Sequence, residues 1–412
     1  MTTACLCRAC GAPLEHVVAD LGLSPVSNAF VRTGEAHRGE MFHPLQARVC
    51  TACWLVQLAY SPEASTHFHD DYVYFSSYST TWVDHARRFV EMACARFALG
   101  PQSKVMELAS NDGYLLQHVV RAGIPCIGIE PSANTAAAAR ARGVDSRPVF
   151  FGRRSAADLA AEGWMVDLLI GNNVLAHVPD INDFVGAMPL VLRPDGVVSL
   201  EFPHLERLIE GNQFDTVYHE HYSYLSLTAL IPVFSRAGMR VFDVEHLPTH
   251  GGSLRILACH SGARHADTPA VANCLARERA AGLTSLSTYA RFAERVRETK
   301  RALLDFLIAE RRRGKRIVGY GAAAKGNTLL NYCGAGTDFI DFVADKNPAK
   351  QGRLLPGTRI PVRPPDDLVA ARPDHVLILP WNIRDEIIAE LDMIRGWGGR
   401  FVVAIPRLEV IA

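Results

Sequence analysis

The chain has 412 residues, 49% of them hydrophobic and 21% charged, with 43 basic and 43 acidic side chains. That balance excludes a protein built mainly to grip a phosphate backbone, because counterion release needs a basic surface. No run reaches the roughly 18 apolar residues of a membrane span, and MTTACLCRACG lacks the basic start and apolar stretch of an export signal, so a cytoplasmic protein engaging neither nucleic acid nor membrane is expected.

The first elements are two cysteine knuckles, Cys7-x2-Cys10 and Cys50-x2-Cys53, separated by 39 residues. Paired thiolates at this spacing form the tetrahedral set that zinc prefers, and an all-cysteine set leaves no open position, so the expected zinc is structural. Cys5 is an alternative to Cys7 in the first knuckle. WLVQLAY after the second pair reads as a strand of a zinc-ribbon hairpin, and the long insert between the knuckles must carry structure of its own. Cysteines 5, 94, 126, 259, 274 and 333 are scattered and read as core. Residues 1–66 form this module.

Residues 67–284 have the pattern of a Rossmann-like α/β domain. KVMELA reads as a buried parallel strand, SNDG as a turn, YLLQHVVRAG as a helix and CIGIE as a second strand. PSANTAAAARARGV is a helix opened by Pro and Ser. Glu130 ends the second strand, 17 positions after Gly113, where a carboxylate accepts ribose hydroxyls. A diphosphate-binding loop would be bare glycine, but here Ser110, Asn111 and Asp112 crowd the turn and only Gly113 remains. Such a loop suits S-adenosylmethionine, which has a ribose and no diphosphate. VDLLIGNNVLAHVPD is a third strand running into Asn172, Asn173 and His177, and LRPDGVVSLEFP is a turn followed by a strand. His177 also stands where a residue caps the next helix.

Residues 285–412 read as a smaller Rossmann-like α/β unit. An amphipathic helix carries Tyr289, Phe292, Val296, Leu303 and Leu307. RIVGYGAAAKGNTLLNY is a strand–turn–helix, Asp345 ends the strand in DFIDFVADKNP, and HVLILPWN and RFVVAIP are further strands. Gly319-x-Gly321 with Lys325 at a helix start fits a nucleotide-sugar diphosphate. The alternative is an NAD-dependent oxidoreductase of a nucleotide-sugar, with Asp345 on the ribose.

The densest cluster of proton-handling groups is YHEHY, residues 218–222. On a strand, Glu220 and His221 point to opposite faces, so they serve one substrate only if the segment turns. The cysteine knuckles, ELASNDGYLL, NNVLAHVPD, YHEHYSYLSL, GGSLR and GYGAAAKGNTLLN, taken in order, resemble the S-adenosylmethionine-dependent nucleotide-sugar C-methyltransferases of the tetronitrose C-3 methyltransferase type. The resemblance runs over nearly the whole chain. It implies three domains, with the sugar nucleotide between the last two, and methylation of carbon 3 of a nucleotide-linked, thymidine-type 4-keto deoxysugar. It also implies His221 as base, with Tyr218, Glu220, Tyr72 and His177 lining the sugar site. The cofactor set expected is Glu107, Ser110, Asn111, Asp112, Gly113, Glu130, Asn172 and Asn173; the substrate set is Tyr78, Tyr222, Gly251, Gly252, Lys325, Asn327 and Asp345. Nothing reads as a subunit interface, so a monomer is expected.

Overall fold

The structure is a computed structural model describing residues 5–62 and 75–412. Four strands open the chain: β1 (His16–Ser24), β2 (Val31–Arg32), β3 (His43–Val49) and β4 (Val56–Leu58). β3 buries Leu45, Ala47 and Val49, the period-two face of a one-sided strand. It pairs antiparallel with β1 and β4, so the expected insert structure is β1 to β3. The second cysteine knuckle is the turn of the β3–β4 hairpin, closed by Trp54 N donating to Cys50 O at 2.8 Å.

Eight strands follow: β5 (Val105–Leu108), β6 (Cys126–Ile129), β7 (Ser146–Arg147), β8 (Val166–Asn172), β9 (Leu192–Pro203), β10 (Ser223–Tyr224), β11 (Met239–Leu247) and β12 (Ser253–His260). All but β10 form one sheet, ordered β11-β12-β9-β8-β5-β6-β7. The run from β7 to β9 is parallel, and β12 is antiparallel to both its neighbours. The turn expected in LRPDG lies within β9: against Val166 and Leu168 of β8 the register jumps from Leu192 to Val197, so the intervening residues bulge out.

β10 goes elsewhere. It adds to the N-terminal sheet beside β4, pairing Ser223 with Gln57 and Tyr224 with Val56. The segment immediately before it is YHEHY, which is thereby suspended between the two sheets.

The last third opens with the helix Leu286–Arg312, whose buried residues include Tyr289, Phe292, Val296, Leu303 and Leu307, the apolar stripe read from the sequence. It precedes β13 (Ile317–Tyr320), β14 (Val343–Ala344), β15 (Arg353–Leu354), β16 (Val362–Arg363), β17 (His375–Ile378), β18 (Arg400–Val403) and β19 (Glu409–Ile411). The sheet order is β16-β14-β13-β17-β18-β19, parallel except for β19, while β15 pairs with β2 of the N-terminal unit. Leu45, Val56, Leu303, Leu307, Leu330 and Leu355 belong to one apolar core, so the first and last units share an interior. Of the scattered cysteines, 259, 274 and 333 are buried and 5, 94 and 126 partly so. Among the described residues no helix is long and apolar enough to cross a membrane.

Candidate active site and metal centre

The sulfurs of Cys7, Cys10, Cys50 and Cys53 all lie within 4.8 Å of one another. Cys7 and Cys53 are 3.6 Å apart, and Cys10 and Cys50 are 3.5 Å apart. Tetrahedral zinc with bonds of about 2.3 Å requires sulfur–sulfur edges of roughly 3.8 Å, so the donor set fits zinc. Cys5 is not part of it; its thiol donates to Ala59 O at 3.4 Å. Gln57 Nε2 donates to Cys7 Sγ at 3.1 Å, a bond that orients and stabilises a thiolate ligand.

At the C-terminal edge of the central sheet, the crowded turn after β5 takes left-handed backbone at Ala109, Asn111 and Gly113. Glu130, at the end of β6, accepts Asn111 N at 2.8 Å and Ser132 N at 2.9 Å, one amide on each oxygen. Each oxygen retains acceptor capacity toward a ribose hydroxyl. Burial pushes the Glu130 carboxyl up. Glu107 is fully buried, and burial followed by the nearby Glu130 raises it well above the carboxylate range, with a hydrogen bond from Tyr114 opposing the rise. Among the described residues Asn172 has no partner on either side-chain atom, and Asn173 Oδ1 and Asp112 Oδ1 have none. So many orphaned polar atoms at strand ends call for a polar ligand, and S-adenosylmethionine, with an ammonium and a ribose, fits them.

Two of the predicted cofactor side chains, Asp112 and Asn111, are hydrogen-bonded within the protein, while Ser110 is packed in place with no hydrogen-bond partner among the described residues. Ser110 Oγ lies against Gly128 beneath the loop, and a Cβ at Gly128 would strike it. Asp112 accepts Ser77 Oγ at 2.5 Å and pairs with Arg142 at 2.7 Å, which ties the loop to the segment before helix Thr80–Phe97. Asn111 Oδ1 accepts Ser76 N at 2.9 Å in the same seam. Tyr78 is exposed and stacks on Phe75. Tyr72 lies outside the described residues.

YHEHY turns rather than extends: His221 N donates to Tyr218 O at 2.9 Å. The turn sends its side chains three ways. His221 enters a cluster with Tyr218, ring centroids 4.0 Å apart, and with His177 at 4.7 Å. Glu220 accepts Asn28 Nδ2 at 2.7 Å. His219 and Tyr222 face the N-terminal unit, His219 reaching Pro44 O at 3.3 Å and the Tyr222 hydroxyl donating to Pro62 O at 3.2 Å.

His221 Nδ1 lies 2.8 Å from Thr216 O. A carbonyl only accepts, so Nδ1 carries the proton and Nε2 presents its lone pair. His177 is held likewise, Nδ1 donating to Glu220 O at 2.8 Å, and it caps nothing: the following helix is capped by Asp180. Burial, reinforced by His177, Lys325 and His250, depresses His221 well below the ordinary imidazole range, and burial brings His177 down to about 4. Both rings are neutral at physiological pH. Burial lifts Glu220 to about 7.

The opposite wall comes from the C-terminal unit. Lys325 Nζ donates to Asn382 Oδ1 at 2.7 Å and sits 4.6 Å from the Trp381 ring centroid. Trp381 Nε1 in turn donates to the buried Asp215 at 2.7 Å. Gly251, at φ 88, is needed there, since a Cβ would come within 2.7 Å of Trp381. Gly252 packs on Arg207 in the same way. A groove of about 520 Å³ runs past Gly251, Trp381, Asn382, Arg384 and Arg407. Asn327 and Asp345 are engaged internally: Asn327 Nδ2 donates to Ser27 O at 3.2 Å, while Asp345 accepts Ala322 N and Asn347 N, each at 2.7 Å.

The described geometry can be set beside known proteins. The profile of a family described as a C-methyltransferase C-terminal domain matches residues 248–406, a putative zinc binding domain matches 7–68, and a methyltransferase domain matches 82–244. C-methyltransferase NovU of Streptomyces niveus is 37% identical over 409 residues, 98% of this chain and 96% of that one. The chain belongs to the S-adenosylmethionine-dependent sugar C-methyltransferase family. A C-methyltransferase uses S-adenosylmethionine, and the four-cysteine cluster of this C-methyltransferase is the zinc site of its N-terminal domain. Likeness outside the family is partial. Ubiquinone biosynthesis O-methyltransferase of Rhodopseudomonas palustris is 26% identical over 145 residues, 30% of this C-methyltransferase and 57% of that enzyme. The structure of magnesium protoporphyrin IX methyltransferase from Synechocystis with bound S-adenosylmethionine is 16% identical, with a TM-score of 0.33 over 44% of this chain and 82% of that one.

Three site residues of the C-methyltransferase carried no readable sequence signal. Asn28, Asp215 and Trp381 sit in ordinary loop sequence and acquire their partners only on folding. His250, in THGG, had a faint one. A histidine beside two glycines marks a sharp turn, and it takes φ 54 to reach Asn173 Nδ2 with Nε2 at 3.0 Å.

Proposed function

We propose that this C-methyltransferase transfers a methyl group to carbon 3 of a thymidine-diphosphate-linked 4-keto deoxysugar, with His221 as the base. A ketone at carbon 4 acidifies the adjacent C–H bond, so one well-placed base generates an enolate. The observation that carries this reading is the bond from His221 Nδ1 to Thr216 O, which fixes the tautomer and directs the basic Nε2 away from its anchor. Among the described residues Nε2 has no protein partner, and the ring is only partly buried. S-adenosylmethionine supplies an electrophilic methyl on a sulfonium.

In this reading His221 Nε2 takes the proton from carbon 3. The electron pair moves onto the carbon 4 oxygen, where the hydroxyls of Tyr218 and Tyr72 are the donors assigned to stabilise it and His177, its only N–H spent on Glu220 O, lines the site; a fixed donor contributes about two to three powers of ten in rate. S-adenosylmethionine, held in the pocket below, would supply the methyl that the carbanion takes up, while the proton removed from carbon 3 stays on His221 Nε2. Glu220, its carboxylate held by Asn28 and its carbonyl by His177, is assigned to fix the loop at the sugar site. Glu107, Ser110, Asn111, Asp112, Gly113, Glu130, Asn172 and Asn173 form the cofactor pocket. Lys325, beside Gly251 and Gly252, neutralises diphosphate charge from the C-terminal side; Asn327, Asp345, Tyr78 and Tyr222, also expected there, are turned to other partners or to solvent.

The test is incubation in deuterium oxide with thymidine-diphosphate 4-keto-6-deoxyglucose, with and without S-adenosylmethionine, read by mass spectrometry and proton NMR. Deuterium entering carbon 3, then a methyl there, and neither with His221→Ala, is the expected result. Exchange at carbon 5, which the same ketone also acidifies, moves the methylation site; exchange undiminished in His221→Ala removes the histidine from the role of base.

A further inference from the structure

The zinc knuckle and the catalytic loop are joined by one side chain. Arg8 lies between Cys7 and Cys10, and its Nη1 donates to Leu58 O at 2.7 Å and to Tyr222 O at 3.2 Å. Tyr222 is the residue after His221. Its carbonyl also accepts Leu58 N at 3.0 Å, and the Arg8 guanidinium carbon lies 5.5 Å from the centre of its ring. The main chain of Arg8 is equally committed. Its N–H donates to Gln57 Oε1 at 2.8 Å, and the same Gln57 side chain donates to Cys7 Sγ. Its carbonyl accepts Asn182 Nδ2 at 2.9 Å, and the next carbonyl, of Ala9, accepts Arg236 Nη2 at 2.7 Å. The knuckle is thus bolted to the methyltransferase domain on one side, while Arg8 reaches to the base's neighbour on the other.

The loop it reaches is closed on itself. His221 N bonds to Tyr218 O and His221 Nδ1 to Thr216 O, so residues 216–221 move as a unit. The placement of that unit over the substrate depends on the pegs at its edges, and the exit peg is the Tyr222 carbonyl. A bond from a guanidinium is charge-assisted and directional. It originates in a metal-fixed turn, where the backbone has little freedom once four thiolates share one ion.

From this geometry we infer that Arg8 is a positioning residue for the base, carrying the rigidity of the zinc knuckle to His221 through the Tyr222 carbonyl. The zinc site therefore holds the reacting geometry as well as the fold of its own module. The inference rests on the reading of His221 as base, and the test separates the two.

Arg8→Met keeps the aliphatic stem and removes every donor; Arg8→Gln, polar but too short to reach Tyr222, repeats the measurement if Arg8→Met does not fold. Each is compared with the wild-type enzyme and with Arg8→Lys and His221→Gln. Zinc content, S-adenosylmethionine affinity, amide hydrogen exchange over residues 214–225, the imidazole nitrogen NMR signals of His221, and deuterium wash-in on thymidine-diphosphate 4-keto-6-deoxyglucose are read. The expected result is full zinc, unchanged cofactor affinity, faster amide exchange in the loop, a shifted His221 signal and wash-in slowed about ten- to a hundredfold, the scale of a misplaced reacting group. Arg8→Lys, with a charge but no fork, falls between. Unaltered loop exchange and an unaltered His221 signal overturn the proposal, as does a rate loss that only tracks lost zinc or lost cofactor. If His221→Gln keeps the wild-type wash-in rate while the Arg8 variants loosen the loop, the base assignment fails and the hold of Arg8 on the loop stands.

Discussion

Asn28 Nδ2 donates to Glu220 Oε1 at 2.7 Å across 192 positions of sequence. An amide from the N-terminal module thereby sets the electrostatics of the central acid–base loop. Burial lifts the Glu220 carboxyl to about 7, and the Asn28 bond opposes that lift by favouring the ionised form.

Removing that donor in Asn28→Ala is expected to push Glu220 up further, by about one to two pH units, since a hydrogen bond to a charged group is worth roughly 1.5–3 kcal/mol. The pH profile of kcat shifts upward on the limb that reports Glu220, and Asn28→Asp shifts it further by placing a like charge beside it. An unchanged profile in both variants separates Glu220 from turnover.

His219 packs between His43 and Pro44 O, and burial lowers it to about 4. A histidine depressed in the folded state binds fewer protons than in the unfolded chain. Its contribution to stability is full above the unfolded value of 6.5 and is lost as pH falls through the folded value. From 6.5 to about 4 this amounts to about 3 kcal/mol. The wild-type chain is expected to lose that much more stability between pH 7 and pH 4 than His219→Gln, measured by urea denaturation at each pH.

Gly128→Ala places a Cβ on Ser110 Oγ directly beneath the cofactor loop. Overpacking of this kind costs about 1–3 kcal/mol, and here the loop is what gives way. S-adenosylmethionine binding, followed by calorimetry, is expected to weaken about tenfold or more, and Ser110→Gly in the same chain restores most of it. A Gly128→Ala protein with wild-type affinity shows that the loop does not shape the pocket.

Replacing Cys53 by Ser removes one zinc ligand from a closed set, and the loss of stability is on the order of several kcal/mol because metal binding is folding free energy here. Metal analysis should show less than one zinc per chain, and thermal unfolding a large drop in Tm. Since β10 belongs to the sheet of this module, the near-ultraviolet signal of Tyr222 and Tyr224 falls with it.

The two cysteine pairs, the strand–turn–helix order around SNDG, and the amphipathic stripe from Tyr289 to Leu307 are local patterns, and their physics is local: thiolate spacing, turn chemistry and helical period. They determined the zinc site, the two Rossmann-like units and the class of cofactor before any folding was considered. The direction of each side chain in YHEHY was not local. Alternation would have set Glu220 and His221 on opposite faces, and the turn at Tyr218–His221 leads into Ser223 and Tyr224, which pair with β4 in a module more than 150 positions away. The engagements of Asp345 and Asn327 were equally invisible, since their partners are backbone groups delivered by folding. Sequence therefore names the candidate reacting groups, because chemistry resides in residue types. Only the tertiary structure decides which nitrogen of His221 keeps its lone pair and that Arg8 of the first knuckle reaches the Tyr222 carbonyl, because both hydrogen bonds depend on distance in space.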